Sequence, residues 1–257
     1  MAQRRRMVQR HLRRVYGRSV GPWEMTRLVD DTFASYARYW AESLRLPTLS
    51  PAEIEAGMTY DGFDHLRQAS DLGRGTILAL PHLGGWEWGG THIAQCGFPI
   101  SVVVERLDPP EVFDWFVGFR ESLGMNVIPV GAGAAARCAA ALKDNHMLCL
   151  LSDRLVGDST GVEVDFFGEV TQLPAGPATL ALRTGATLLP CAVYFGRRSN
   201  QHTAVVKPPL TLERSGRLRD DVQKLTQALA HEFEDLIRRA PTQWHLMQPN
   251  WPSDHRV

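Results

Sequence analysis

In LALPHLGGWEWGG, residues 78–90, an apolar run stops at a proline, His82 follows, and Glu87 arrives five positions later among four glycines and two tryptophans. The run that leads in, TILAL (76–80), has the length and aliphatic content of a buried strand. Pro81 biases the residue before it toward extended backbone, so the strand runs up to His82. Gly84 and Gly85 permit a tight turn. A helix beginning near Trp86 then carries Glu87 in its first turn, where the helix dipole favours a carboxylate. His82 thus stands at the carboxyl end of a strand, the place where open α/β sheets gather their ligands.

Working outward, four more runs resemble the first: ISVVV (100–104), NVIPV (126–130), HMLCLL (146–151) and TLLPCAVYF (187–195). They are continuous rather than alternating, as strands covered on both faces are. Helical spacing lies between them. EVFDWFVGFRESLG sets Val112, Phe113, Phe116 and Phe119 near one face and ends at Gly124, with Trp115 off that face. GAGAAARCAAALKD and PAGPATLALRTG are further helices, and 219–239 is a closing amphipathic one with Val222, Leu225, Leu229, Phe233 and Leu236 in phase. Strand alternating with helix predicts an α/β fold, a mostly parallel central sheet flanked by helices. Residues 22–72 contain no strand-like run. The expected organisation is a helical N-terminal arm, 1–72, packed on an α/β core, 73–257, as one structural domain.

Positive and negative charges balance at 28 each, so bulk charge gives no case for nucleic acid. The distribution is uneven: the first 18 residues hold seven arginines and no acid. Val8, Leu12 and Val15 form a thin apolar stripe there, the pattern of a helix attracted to an anionic membrane surface. Four scattered cysteines without short paired spacing argue for a reducing compartment and against a zinc ribbon or a disulfide framework. No segment reaches the roughly 18 apolar residues of a membrane span, and the arginine-rich start lacks the apolar centre of a secretory signal. The chain reads as soluble or peripheral, with peripheral attachment at the cytoplasmic face of the cell membrane the expected location.

Glu87 is placed to accept the Nδ1 proton of His82, leaving the other ring nitrogen as a base facing the groove. That is the orienting half of a catalytic triad without its serine, and no G-x-S-x-G elbow occurs in the chain. The natural partner is a hydroxyl that belongs to a substrate. No second histidine lies at helical spacing from His82, so no metal centre is expected.

These residues resemble the bacterial lysophospholipid acyltransferase superfamily, in the branch that includes the lipid A late acyltransferases. Its hallmark is a histidine followed after four residues by an acid, the spacing of His82 and Glu87. The likeness is strongest to the actinobacterial phosphatidylinositol mannoside acyltransferases. The blocks ALPHLGGWEWGG, FRESLGMNVIP, DFFGEVTQLPAGPATLALRTGA and QWHLMQP all look like that group's, in order, over about residues 20–250. The N-terminus reads as short for the group, with an anchoring segment absent or upstream.

The resemblance implies transfer of a fatty acyl chain from an acyl-CoA co-substrate, with no other cofactor, to a hydroxyl of a membrane glycolipid. His82 is then the base and Glu87 its orienter, and backbone amides near Gly84–Trp86 are candidate donors to the oxyanion. It also implies a phosphate contact for Arg120, whose alternative is a helix-end arginine facing solvent. Asp153 or Glu163 is the counterpart of the acidic third-block residue. Asp153 and Arg154 follow a strand, as Glu105 and Arg106 do, and all four are candidates to line the site. Two readings compete with this one. The first is an acyltransferase of another glycolipid or a lysophospholipid that uses acyl carrier protein; the second is a non-catalytic membrane lipid-binding protein.

Overall fold

The computed structural model describes residues 2–17, 20–105, 108–157 and 160–255. At the N-terminus α1 (Ala2–Tyr16) and α2 (Pro22–Arg45) pair, followed by the short α3 (Pro51–Ala56), whose Ser50–Glu53 capping box closes its first turn. Then come β1 (Met58–Asp61), α4 (Phe63–Asp71), β2 (Thr76–Leu80), α5 (Trp86–Gln95), β3 (Ile100–Val104), α6 (Pro110–Ser122) and β4 (Met125–Pro129). The chain continues through α7 (Ala134–Lys143), β5 (Met147–Leu151), a hairpin of β6 (Gly161–Phe166) and β7 (Glu169–Pro174), and α8 (Gly176–Thr184). It closes with β8 (Thr187–Phe195), β9 (His202–Val206) and α9 (Leu218–Arg239).

The main sheet runs β1-β9-β8-β2-β5-β3-β4, parallel throughout except for the antiparallel β8–β9 pair. All five strands read from sequence are present within a residue of their expected ends. Successive residues of β2 serve opposite layers. Ile77 and Ala79 face a core shared with α8 and α9, while Leu78 and Leu80 face one shared with Leu66 of α4 and Ile93 of α5. Both faces are covered, which is why β2 is apolar throughout.

The arm departs from expectation in two ways. It is not purely helical: β1 lies in the supposed arm and pairs parallel with β9 at the sheet edge. Four residues, with Thr59 and Asp61 alternating against Met58 and Tyr60, are too short a pattern to declare a strand, and the pairing that makes it one is distant in sequence. Nor does the apolar stripe of α1 face outward. Val8 and Leu12 are buried against Met25, Leu28 and Val29 of α2 and against Met247. Removing that area from water within the protein satisfies the stripe without a bilayer. His11, also buried, reaches Leu246 O at 3.0 Å and Asp254 Oδ2 at 3.3 Å. Arg14 donates to Glu169 and Asp254 and lies over the Trp251 ring. Arg4, Arg6 and Arg13 remain exposed.

Candidate active site

Two neighbouring strands build the centre. β2 and β5 pair parallel with Leu80 opposite Leu151, and each chain runs two residues further before the group that matters. His82 and Asp153 are therefore brought side by side by register. Ser152 N donates to Leu80 O at 2.8 Å and carries the pairing one step past the strands. His82 Nδ1 lies 2.5 Å from Asp153 Oδ1, and the His82 amide donates to Asp153 Oδ2 at 3.0 Å. Trp244 adds its indole N–H to the same Oδ2 at 2.7 Å.

Asp153 is wholly buried while His82 keeps 17% of its side chain exposed. Burial pushes the Asp153 carboxyl up, but His82, the Trp244 indole and the His82 amide outweigh it and hold the group below its ordinary value. A carboxylate on Nδ1 fixes the tautomer with the proton there. Nε2 has no hydrogen-bond partner among the described residues and presents its lone pair.

Glu87 does not serve His82. It sits in the first turn of α5 as expected, but its carboxylate is engaged by Arg120 of α6. Arg120 Nε lies 3.2 Å from both oxygens and Nη2 makes a further contact to Oε1. Tyr39 of α2 donates to the same Oε1 at 3.2 Å. A guanidinium outcompetes a neutral imidazole for a buried carboxylate because its charge is permanent and its fork matches both oxygens. Burial opposes the Arg120 charge, but Glu87 overrides it and raises the pKa. Burial first, then Glu87, pushes the Tyr39 phenol well above its ordinary value, so it stays a donor. Arg120 points inward to Glu87 rather than out to solvent.

The remaining sequence candidates separate. Arg154 donates to Glu105 at 2.9 Å, tying the ends of β5 and β3 together. Arg106 lies outside the described residues. Glu163 stands on the β6–β7 hairpin opposite Gln172, away from His82, so Asp153 is the acid of that region which meets the histidine. The amides of Gly84 and Gly85 are already engaged, by Gln243 O and Val193 O at 2.9 Å each. The first-turn amides of Trp86 and Glu87 stand at the helix N-terminus instead.

Several site residues were not singled out in the sequence: Tyr39, Trp244, His245 and Asn250. The last three fall in or just after the QWHLMQP block, which carried family likeness but no chemistry of its own. His245 N donates to His82 O at 2.7 Å, and the His245 side chain is buried. Burial, then His82, push that imidazole down to about 3, so it is neutral near pH 7. Its Nδ1 and the Trp86 indole N–H are buried without a hydrogen-bond partner among the described residues. The Trp86 ring stands 5.8 Å from His82 and 5.8 Å from His245. Two unpartnered polar atoms beside His82 suit a ligand oxygen, since burial makes an unmade hydrogen bond costly.

Trp86 and Glu87 also line an apolar cavity of about 70 Å³ between α5 and the sheet, walled by residues including Leu66, Leu78, Ile93, Met125 and Val193. Gly89 and Gly90 let α5 pack closely against two of these walls. A Cβ would stand 2.7 Å from Val193 Cγ2 at the first and 3.0 Å from Met125 Cε at the second. The aromatic stripe of α6 does not line it: Phe116 meets Trp40 of α2 at 5.7 Å, and Trp115, half-exposed, stacks on Phe119.

For a metal, the described residues bring together Glu55, His92 and Cys96, away from His82. His92 Nε2 faces Glu55 at 2.6 Å while Nδ1 faces the Tyr60 hydroxyl at 2.9 Å. The ring is fully hydrogen-bonded as it stands.

With this geometry in place, comparison with known proteins is informative. The family model for bacterial lipid A biosynthesis acyltransferases matches residues 1–253. The chain belongs to that family. A phosphatidylinositol mannoside acyltransferase of Mycolicibacterium smegmatis is 41% identical over 251 residues, covering 96% of this chain and 79% of the relative. One from Mycobacterium tuberculosis is 40% identical over 225 residues, 86% of this chain and 69% of the relative. A lipid A biosynthesis acyltransferase of Haemophilus influenzae is 21% identical over 220 residues, 85% of this chain and 66% of the relative. The lipid A acyltransferase family likeness read from the sequence is thus shown, and the protein is an acyltransferase. No described helix is long and apolar enough to cross a membrane.

Proposed function

We propose that this acyltransferase moves a long fatty acyl chain from acyl-CoA to a hydroxyl of a phosphatidylinositol mannoside-like glycolipid in the membrane. The observation that carries the reading is the His82–Asp153 pair, its acid buried and its Nε2 without a partner among the described residues, next to an apolar cleft in a member of this family. His82 Nε2 takes the proton of the acceptor hydroxyl as its oxygen attacks the thioester carbonyl. The resulting oxyanion finds donors in the Trp86 indole and the first-turn amides of α5. It collapses, the C–S bond breaks, and the thiolate recovers the proton from the imidazolium. Asp153 takes the orienting role that the sequence spacing assigned to Glu87. Glu87 instead holds Arg120 and Tyr39 beside the cleft.

The acyl tail enters the space between α5 and the sheet. Met58 and Met125 in its lining are flexible side chains able to adapt to a chain. Arg4, Arg6 and Arg13 on α1 supply attraction to anionic lipid, together with Trp23 at the start of α2, 90% exposed. The names of the mycobacterial relatives support the acceptor class.

The test is labelled palmitoyl-CoA with a panel of acceptors: phosphatidylinositol mannosides, other glycolipids and lysophospholipids. Acylated mannoside is the expected product, and His82→Ala is expected to abolish it while leaving the circular dichroism spectrum intact. Substantial residual transfer removes His82 as the base. Preference for another acceptor, or for acyl carrier protein over CoA, redirects the substrate assignment, and silence on every acceptor favours lipid binding alone.

A further inference from the structure

Trp244 is tied to Asp153 and to the turn that carries His82. Its indole N–H donates to Asp153 Oδ2 at 2.7 Å, and its backbone bridges Leu83. On either side, His245 N donates to His82 O at 2.7 Å and Gly84 N to Gln243 O at 2.9 Å. Six residues on, Asn250 donates from its side chain to the Asp153 carbonyl at 3.0 Å. One segment thus grips the turn that carries the base and the acid that orients it. The ring is 3% exposed and packs among Phe166, Phe167, Trp251 and His11, so it touches no substrate.

An indole N–H donates and never accepts, and it does not titrate in the physiological range. It therefore commits Oδ2 as an acceptor at every pH and leaves Oδ1 for His82. It also draws charge from the carboxylate. A carboxylate so compensated pulls less strongly on the imidazole proton, and a base that must lose its proton to act needs that restraint. We propose that Trp244 is a positioning residue of this acyltransferase, which aims Asp153 at His82 and sets the basicity of that histidine. The proposal rests on His82 being the base.

Trp244→Phe keeps the aromatic packing and removes the donor. The acid limb of the kcat/KM profile is expected to move to higher pH by on the order of half to one unit, with the deficit narrowing as pH rises. Trp251→Phe is the control: it also loses a buried indole bond, to Phe166 O at 3.2 Å, in the same aromatic cluster. It is expected to lower Tm and leave the limb in place. If both variants lower Tm and neither moves the limb, Trp244 is only a core residue and the proposal falls.

A second measurement needs no known acceptor. In the ¹H–¹⁵N spectrum of the intact protein, the Trp244 indole resonance should titrate with the His82 imidazole, and should cease to do so in His82→Ala. An indole signal indifferent to pH overturns the proposal. Transfer activity that survives in His82→Ala instead removes the base reading, so the two failures are told apart.

Discussion

Two buried carboxylates flank α5's entrance and have opposite partners. Asp153 meets an imidazole, a group able to take up and give back a proton, whereas Glu87 meets a guanidinium, which keeps its charge. The first pair can hold and release a proton; the second is a fixed strut joining α2, α5 and α6 through Tyr39, Glu87 and Arg120. Equal burial and equal chemistry of the acid therefore say little about function. The partner's capacity to titrate separates a chemical site from a structural one.

The comparison breaks most visibly at Asp153. Asp153→Asn leaves the shape but presents a side chain that no longer fixes the Nδ1–H tautomer, and kcat is expected to fall by about 10²–10⁴. Steady-state transfer rates on folded protein check this, and a rate close to wild type would return the orienting role to another group. The Glu87 pair is expected to register in stability instead. Arg120→Met leaves a buried carboxylate uncompensated, a loss of about 3–5 kcal/mol in urea unfolding. Combining it with Glu87→Gln should recover much of that loss. Identical single and double variants would mean that the pair is not coupled.

A third effect, confined to acid pH, concerns the neutral histidine behind the dyad. His245 has a folded pKa of about 3 against 6.5 for an ordinary imidazole. Below 6.5 the unfolded chain takes up a proton that the folded protein refuses, so stability falls as pH drops toward 3. The slope is about 1.4 kcal/mol per pH unit. Asp153 is depressed in the folded state, so its own contribution is lost only at lower pH, below its ordinary 3.8. His245→Gln should flatten the slope between pH 6.5 and 3 without touching the lower window. An unchanged slope would mean that His245 is protonated in the folded protein.

Much of this molecule was legible residue by residue. TILAL, ISVVV and MLCLL are too apolar and too short to be other than covered strands. The Pro81-His82-Leu83-Gly84-Gly85 turn announces a side chain delivered at a strand end. His82, Asp153 and Arg154 were all placed correctly at carboxyl ends. What misled was proximity along the chain: Glu87 is five residues from His82 and Asp153 is 71 away, so spacing favoured the wrong partner. The N-terminal stripe misled in the same manner, because an amphipathic face does not say what covers it. MTYD alternates over too few residues to declare a strand, and its partner, β9, comes more than a hundred residues later.

Sequence by itself thus determined the alternation of strand and helix, the histidine and its position at a strand end, and the stock of acids within reach. Apolar periodicity and turn chemistry are local, and they act before any long-range contact forms. Tertiary structure alone decided which acid faces the imidazole. It did so by setting β5 beside β2 with Leu151 opposite Leu80, and by bringing α6 close enough for Arg120 to claim Glu87. The physical reason is competition. Each buried carboxylate pairs with the strongest complementary donor its surroundings provide, and those surroundings exist only once the sheet has assembled.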